Sequence, residues 1–180
     1  MNATVLKSCS FLLLSLTLFC STSCTDDPEI LPSPALAENL LQPDRMLEAV
    51  NTWRVNGCTC GNEQMPPVEP VSWNEELEGA ALRHSKDMAE KNYFSHTGSD
   101  GSTHSQRIAD TGYAAINSGE NIAAGTNFTD EEQLVQLWID SPGHCKNIMN
   151  ASFKEMGVAQ VKNESSDYIH YWTQIFGSSN

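Results

Sequence analysis

DYIHYWTQIFG, residues 167–177, carries large apolar groups on both faces of an extended chain. Successive side chains of a strand point to opposite faces. Ile169, Tyr171, Thr173 and Ile175 therefore share one face, and Tyr168, His170, Trp172, Gln174 and Phe176 share the other. A strand with one wet face alternates apolar with polar residues, whereas a strand apolar on both sides is covered on both sides. MGVAQV, residues 156–161, reads as a second strand, separated from the first by the turn-forming run KNESS. This end of the chain predicts a sheet held between two helical layers, a three-layer α–β–α domain.

Helices to cover such a sheet are legible upstream. Asp44 opens one in which Met46, Leu47, Val50 and Trp53 form an apolar face, ending before Gly57. Asn74 is a good N-cap, and Glu75, Glu76 and Glu78 suit the first turn of a helix running to about Lys91. Its apolar stripe is Leu77, Ala81, His84 and Met88, which makes His84 a buried histidine bonded to backbone. A short helix is expected around Gln106–Asp110. Thr129 and Glu132 fit a capping box for a further helix with Leu134, Val135 and Trp138 inward and Pro142 past its end. Between these, GCTCGNEQMPPVEP reads as irregular loop because of Pro66, Pro67 and Pro70, and VSW (71–73) as a short extended piece. SHTGSDGST (95–103) reads as a loop and SGENIAAG (118–125) as a glycine-bounded turn.

The chain of 180 residues has room for one domain with appendages. Its formal net charge is −13, and its few Lys and Arg residues are scattered. Phosphate-driven binding to nucleic acid is thereby disfavoured, and a polybasic membrane patch is absent. Near the N-terminus, Lys7 precedes FLLLSLTLFC (11–20), an apolar run too short to span a bilayer. Residues 1–23 read as a secretory signal. The run STSC suggests cleavage that leaves Cys24 as a lipidated N-terminus, although Ser21 stands where such sites usually carry Leu; plain secretion is the alternative. Loss of Lys7 with the signal takes the charge from −13 to −14. The expected organisation is 1–23 signal, 24–43 tether and 44–178 domain, secreted or held at the outer cell envelope. Of the cysteines, Cys58, Cys60 and Cys145 remain in the domain. Export favours a disulfide. Cys58 and Cys60 are too close for a relaxed bridge to each other, so Cys145 is expected to pair with one of them, Cys60 being preferred.

Three titratable residues sit beside glycine or serine in segments read as turns: His96 in FSHTG, Glu120 in SGENIA and His144 in SPGHC. Converging neutral histidines bind zinc or copper, and a carboxylate can orient a histidine or act as a base. Their separations in sequence are too large for spacing to prove convergence. The adjacency of His144 and Cys145 suggests a nucleophile pair, but neighbours on a helix diverge by about 100°, and a bridge would consume the thiol. A zinc site from Cys58, Cys60, Cys145 and His144 has Cys-x-Cys where structural zinc favours Cys-x2-Cys. His104, in a polar loop, and His170, on a strand face with Trp172, are read as structural.

AALRHSKDMAEKNYFSHTGSDGS (80–102), GENIAAG (119–125), LWIDSPGHCKNIMN (137–150) with FKEMGVA (153–159), and YWTQIFG (171–177) together resemble the CAP superfamily of SCP-like, cysteine-rich secretory and pathogenesis-related proteins, especially its bacterial branch. The resemblance implies an α+β fold, a three-layer α–β–α sandwich with a central antiparallel sheet. It also implies a cleft lined by two histidines and acidic residues, onto which His96, Glu120 and His144 map. The second glutamate of eukaryotic members aligns with Ser141, and Asp140 is displaced by one residue. That weakens mechanisms needing two carboxylates, such as glycoside hydrolysis. The implied function is an exported ligand-binding or envelope interaction module, with zinc at His96 and His144 as the one cofactor raised. The alternative is a hydrolase acting on peptide or cell-wall material through His96, Glu120 and His144. Expected partners are a lipid, glycan or protein ligand and no nucleic acid, with membrane contact only through Cys24 and a monomeric state.

Overall fold

The structure, a computed structural model, describes residues 39–127 and 130–180. Residues 1–23, read as a signal, together with Cys24 and Thr129, lie outside the described residues. Helix α1 spans Pro43–Asn56, strands β1 and β2 span Cys58–Cys60 and Glu63–Met65, and β3 is the pair Ser72–Trp73. Then come α2 (Glu75–Lys91), α3 (His104–Asp110), β4 (Asn117–Gly125), α4 (Glu131–Asp140), α5 (Pro142–Ile148), β5 (Glu155–Lys162) and β6 (His170–Ser178). The main sheet has the order β3-β5-β6-β4. β6 lies between β4 and β5 and is antiparallel to both; the two-residue β3 joins β5 in parallel at the other edge.

Every residue of β6 is buried, as its two apolar faces require. On one face Tyr171 and Ile175 pack with Ala159 and Val161 of β5 against Leu77, Ala81 and Met88 of α2. On the other, Trp172 and Phe176 pack with Met156 and Val158 against Met46 and Val50 of α1, Trp138 of α4 and Ile148 of α5. Helical layers thus cover both sides, giving the three-layer sandwich. α2 sits so close to the sheet that a Cβ on Gly157 would lie 2.0 Å from the Glu78 backbone nitrogen. Asn74 caps α2 as expected, accepting from the amides of Glu76 and Leu77. His84 is fully buried with Nε2 2.8 Å from the Ser95 carbonyl, the structural role read from its stripe.

Three local expectations change. SGENIAAG is not a turn but most of β4, paired along its whole length with β6. Its small residues permit close approach rather than chain reversal: a Cβ on Gly119 would meet the Phe153 ring at 2.8 Å. The GCTCGNEQM segment forms a two-stranded ribbon, β1–β2, before the prolines stop it. Helix α4 is capped by Asp130, whose side chain accepts from the amides of Glu132 and Gln133, one residue later than the expected Thr129. Pro142 lies past the end of α4 as expected, and it also occupies the first position of α5, where its missing N–H leaves nothing unsatisfied.

Candidate functional site

Glu120 stands on β4, an edge strand of the main sheet, not in a turn. Its side chain faces the layer of α2 and α3, because alternation puts it on the side of Ile122, which packs with Met88. The carboxylate is 2% exposed, and both oxygens are engaged. Oε1 lies 2.8 Å from His96 Nδ1, and Oε2 accepts from Arg107 Nη2 at 2.6 Å. An ionised carboxylate only accepts hydrogen bonds, so His96 carries its proton on Nδ1. Nε2 of His96 is then the nitrogen left to act, on a side chain 57% exposed. Burial pushes the Glu120 carboxyl up, but the His96 hydrogen bond and the Arg107 charge outweigh it and hold the group below its ordinary value.

Arg107 belongs to this cluster, and the sequence reading missed it. It is fully buried on the inner face of α3 and also donates to the carbonyls of Ser102 and His96. One guanidinium therefore fixes the loop bearing His96 and the strand bearing Glu120. The signal available in the sequence was a lone arginine beside Ile108 on the inward face of a short helix. α3 owes its start to a capping box between Thr103 and Gln106.

His144 occupies the first turn of α5, on the opposite face of the sheet from α2, and approaches the site around the β4 edge. Asn121, the third residue of the GEN run, donates to the His144 carbonyl at 3.2 Å and to Gln174 Oε1 at 2.9 Å. Asn147 of α5 donates to the Glu120 carbonyl and to Asn121 Oδ1. These amides lock the helix of His144 onto the strand of Glu120. Burial, then the nearby His96, lowers the His144 basicity, and its Nδ1 is buried without a hydrogen-bond partner. His104, read from sequence as a structural loop residue, opens α3 beside this site. Burial lowers its basicity, with Glu120, Arg107 and His96 acting on it. Asp140 stays outside: it is exposed and accepts from Gln136 on its own helix. Among the described residues, His96, Glu120 and His144 do not bring three donor atoms within 4.8 Å of one another.

Cys145 bridges Cys60 across 85 residues, with a Cα–Cα separation of 5.5 Å, which stitches α5 to the β1–β2 ribbon. His144 and Cys145 therefore have separate tasks, and the bridge removes the thiol from any Cys–His nucleophile pair. Cys58 is a free thiol. The three sulfurs lie within 4.8 Å of one another, a gathering that suits a soft metal ion, but two of them are joined in the disulfide. A cavity of about 550 Å³ abuts the site beyond His84 and Arg107, bounded by Arg83, Asp87 and Asp100, and does not include His96, Glu120 or His144.

Comparison with known proteins agrees with this architecture. The model of the CAP family, the cysteine-rich secretory protein family, matches residues 47–176. The uncharacterised protein YkwD of Bacillus subtilis is 32% identical over 146 residues, 80% of this chain and 54% of YkwD. An extracellular SCP-domain protein from Bacillus anthracis is similar in structure with a TM-score of 0.60 and 29% identity, over 76% of this chain and 40% of that one. An outer surface protein of Borrelia burgdorferi shares the fold with a TM-score of 0.60 at 18% identity, over 81% of this chain and 99% of that one. The chain spans about half or less of the Bacillus proteins' lengths, and these structural neighbours are extracellular or surface proteins. No helix among the described residues is long and apolar enough to cross a membrane. With a family match across most of its length and an α–β–α sandwich to go with it, the chain belongs to the CAP family of cysteine-rich secretory proteins.

Proposed function

We propose that this is an exported ligand-binding module whose cleft takes a divalent metal ion, zinc by chemistry, through His96 and His144. One observation carries the reading: both oxygens of Glu120 are engaged, by His96 and by Arg107. A carboxylate so held orients a histidine for ligation by its outer nitrogen, and is not itself free to activate water. Imidazole nitrogens presented in this way suit zinc or copper. Two protein ligands leave coordination positions for a ligand group, so the ion would join the module to a donor on a lipid, glycan or protein partner. Titration calorimetry with zinc tests this. Wild type should bind one ion, and His96→Ala with His144→Ala should abolish it; equal binding by both proteins refutes the reading.

A second reading rests on the same hydrogen bond. A histidine oriented by a buried carboxylate is the arrangement of a general base, here without an accompanying nucleophile since Cys145 is bridged. Hydrolysis would then use His96 to activate water against peptide or cell-wall material. Turnover of peptides or peptidoglycan that disappears in Glu120→Gln favours this reading; no turnover by the wild type excludes it.

A further inference from the structure

Outside the Glu120 site, the densest chemistry lies where β1 meets α5. Cys58 and Cys60 are two residues apart on one strand, so both side chains leave the same face, toward Cys145. Cys58 Sγ lies 3.5 Å from Cys145 Sγ and 4.0 Å from Cys60 Sγ. A free thiol in contact with a disulfide is the reacting pair of thiol–disulfide exchange.

The pair sits on a short strand between two glycines. The Cys-Thr-Cys strand is bracketed by Gly57 (φ 71°) and Gly61 (φ 63°), both in the left-handed region that favours glycine. β1 pairs only with β2, in a ribbon separate from the main sheet. A movement of β1 by a fraction of a residue therefore breaks no hydrogen bond of the four-stranded sheet. Such a movement is needed: distances differing by only half an ångström put Cys58 beside the disulfide, whereas attack requires the three sulfurs to approach a line.

We propose that Cys58, Cys60 and Cys145 form an intramolecular thiol–disulfide exchange site in which the bridge to Cys145 passes between Cys60 and Cys58. Cys58 gives up its proton to solvent, and its thiolate attacks Cys145 Sγ. The Cys58–Cys145 bond forms as the Cys60–Cys145 bond breaks, the electron pair leaves on Cys60, and Cys60 takes up a proton. Nothing is oxidised or reduced overall, so no co-reactant is required. The exchange leaves α5, and with it His144, tied to the ribbon in either form. It moves the free thiol from half-buried Cys58 to Cys60, which is 1% exposed. Burial pushes the Cys58 thiol up, which slows exchange near neutrality and lets it quicken in alkali, where the thiolate is more abundant.

The test uses the oxidised wild-type chain held at about pH 8.5, where thiolate attack is favoured. Guanidinium with excess maleimide at about pH 6, where little thiolate remains to exchange, then uncovers and labels the free thiol wherever it lies, and fragment spectra of the Cys-Thr-Cys peptide locate the label. Label on both Cys58 and Cys60 is expected; label on Cys58 alone overturns the proposal. Cys60→Ser supplies an independent reading, because its Cys58 should close onto Cys145 in a glutathione redox buffer. A Cys60→Ser protein in which Cys58 and Cys145 both stay alkylatable also overturns it.

Discussion

Replacement of Arg107 by methionine keeps an unbranched stem on α3 and removes the charge. The side chains of Arg107 and Glu120 are 1% and 2% exposed, and they meet at 2.6 Å. Removing one member of a buried pair leaves the other charged and uncompensated, which destabilises by about 3–5 kcal/mol. The hydrogen bonds to Ser102 and His96 disappear as well. In the variant the guanidinium no longer helps the His96 hydrogen bond to oppose burial, so the Glu120 carboxyl rises from its wild-type position. The sign of the pH dependence follows. In the wild type, Glu120 titrates below its ordinary value of 4.5, and its stabilising contribution is present above that pH and fades as pH falls through the folded value. In Arg107→Met the buried carboxyl takes up a proton at higher pH, which relieves the uncompensated charge. The deficit should therefore be largest at neutral pH and shrink toward about pH 4. Urea unfolding followed by tryptophan fluorescence reads both quantities, since Trp138 is fully buried. A double-mutant cycle with Glu120→Gln should give a coupling of about 1–3 kcal/mol. A deficit below about 1 kcal/mol at pH 7, or one that does not change with pH, would refute the account of Arg107 as the charge that holds Glu120.

Three further outcomes are expected. Gly157→Ala places a Cβ 2.0 Å from the Glu78 nitrogen and should lower stability by about 3 kcal/mol or more, whereas Gly143→Ala, with open space around it, should change it by less than about 1 kcal/mol; equal effects in denaturant melts would contradict the close packing of α2 on β5. His84 is buried neutral, with burial holding its basicity below the ordinary 6.5. The unfolded chain takes up this proton first as pH falls below 6.5, so stability present above that value is lost in acid, and His84→Gln should flatten the fall of Tm between about pH 7 and pH 5. Cys145→Ser opens the 85-residue link and should lower unfolding free energy by about 2–4 kcal/mol; an unchanged melting curve would count against a bridge at this position.

The readable parts of the sequence were those in which one local pattern points to one outcome. The stripe of α2 placed His84 inside, and Asn74 marked where the helix begins, because helix period and cap chemistry act within a few residues. β4 was unreadable for the opposite reason. Gly119, Ala123, Ala124 and Gly125 lack the bulk of a typical strand, and only pairing with β6 makes this segment extended. The β1–β2 ribbon was likewise concealed by its glycines and the prolines beyond it. His96, Glu120 and His144 could be named from the family resemblance, but that pattern does not show that Glu120 is shared between His96 and a buried arginine.

By itself the sequence determined that this is a two-sided sheet between helices, since β6 has no face that water would tolerate. It also favoured a partner for Cys145 in the Cys-x-Cys run, and the structure supplies it in Cys60. The tertiary structure alone decided which charges meet. The pairing of β4 with β6 turns Glu120 toward α3, Arg107 reaches it from an inward helix face, and Asn121 and Asn147 bring His144 around the sheet edge. Those contacts join residues 13 to 27 positions apart. No periodicity encodes such a meeting; it comes from packing layers that bury the carboxylate and so require a buried cation beside it.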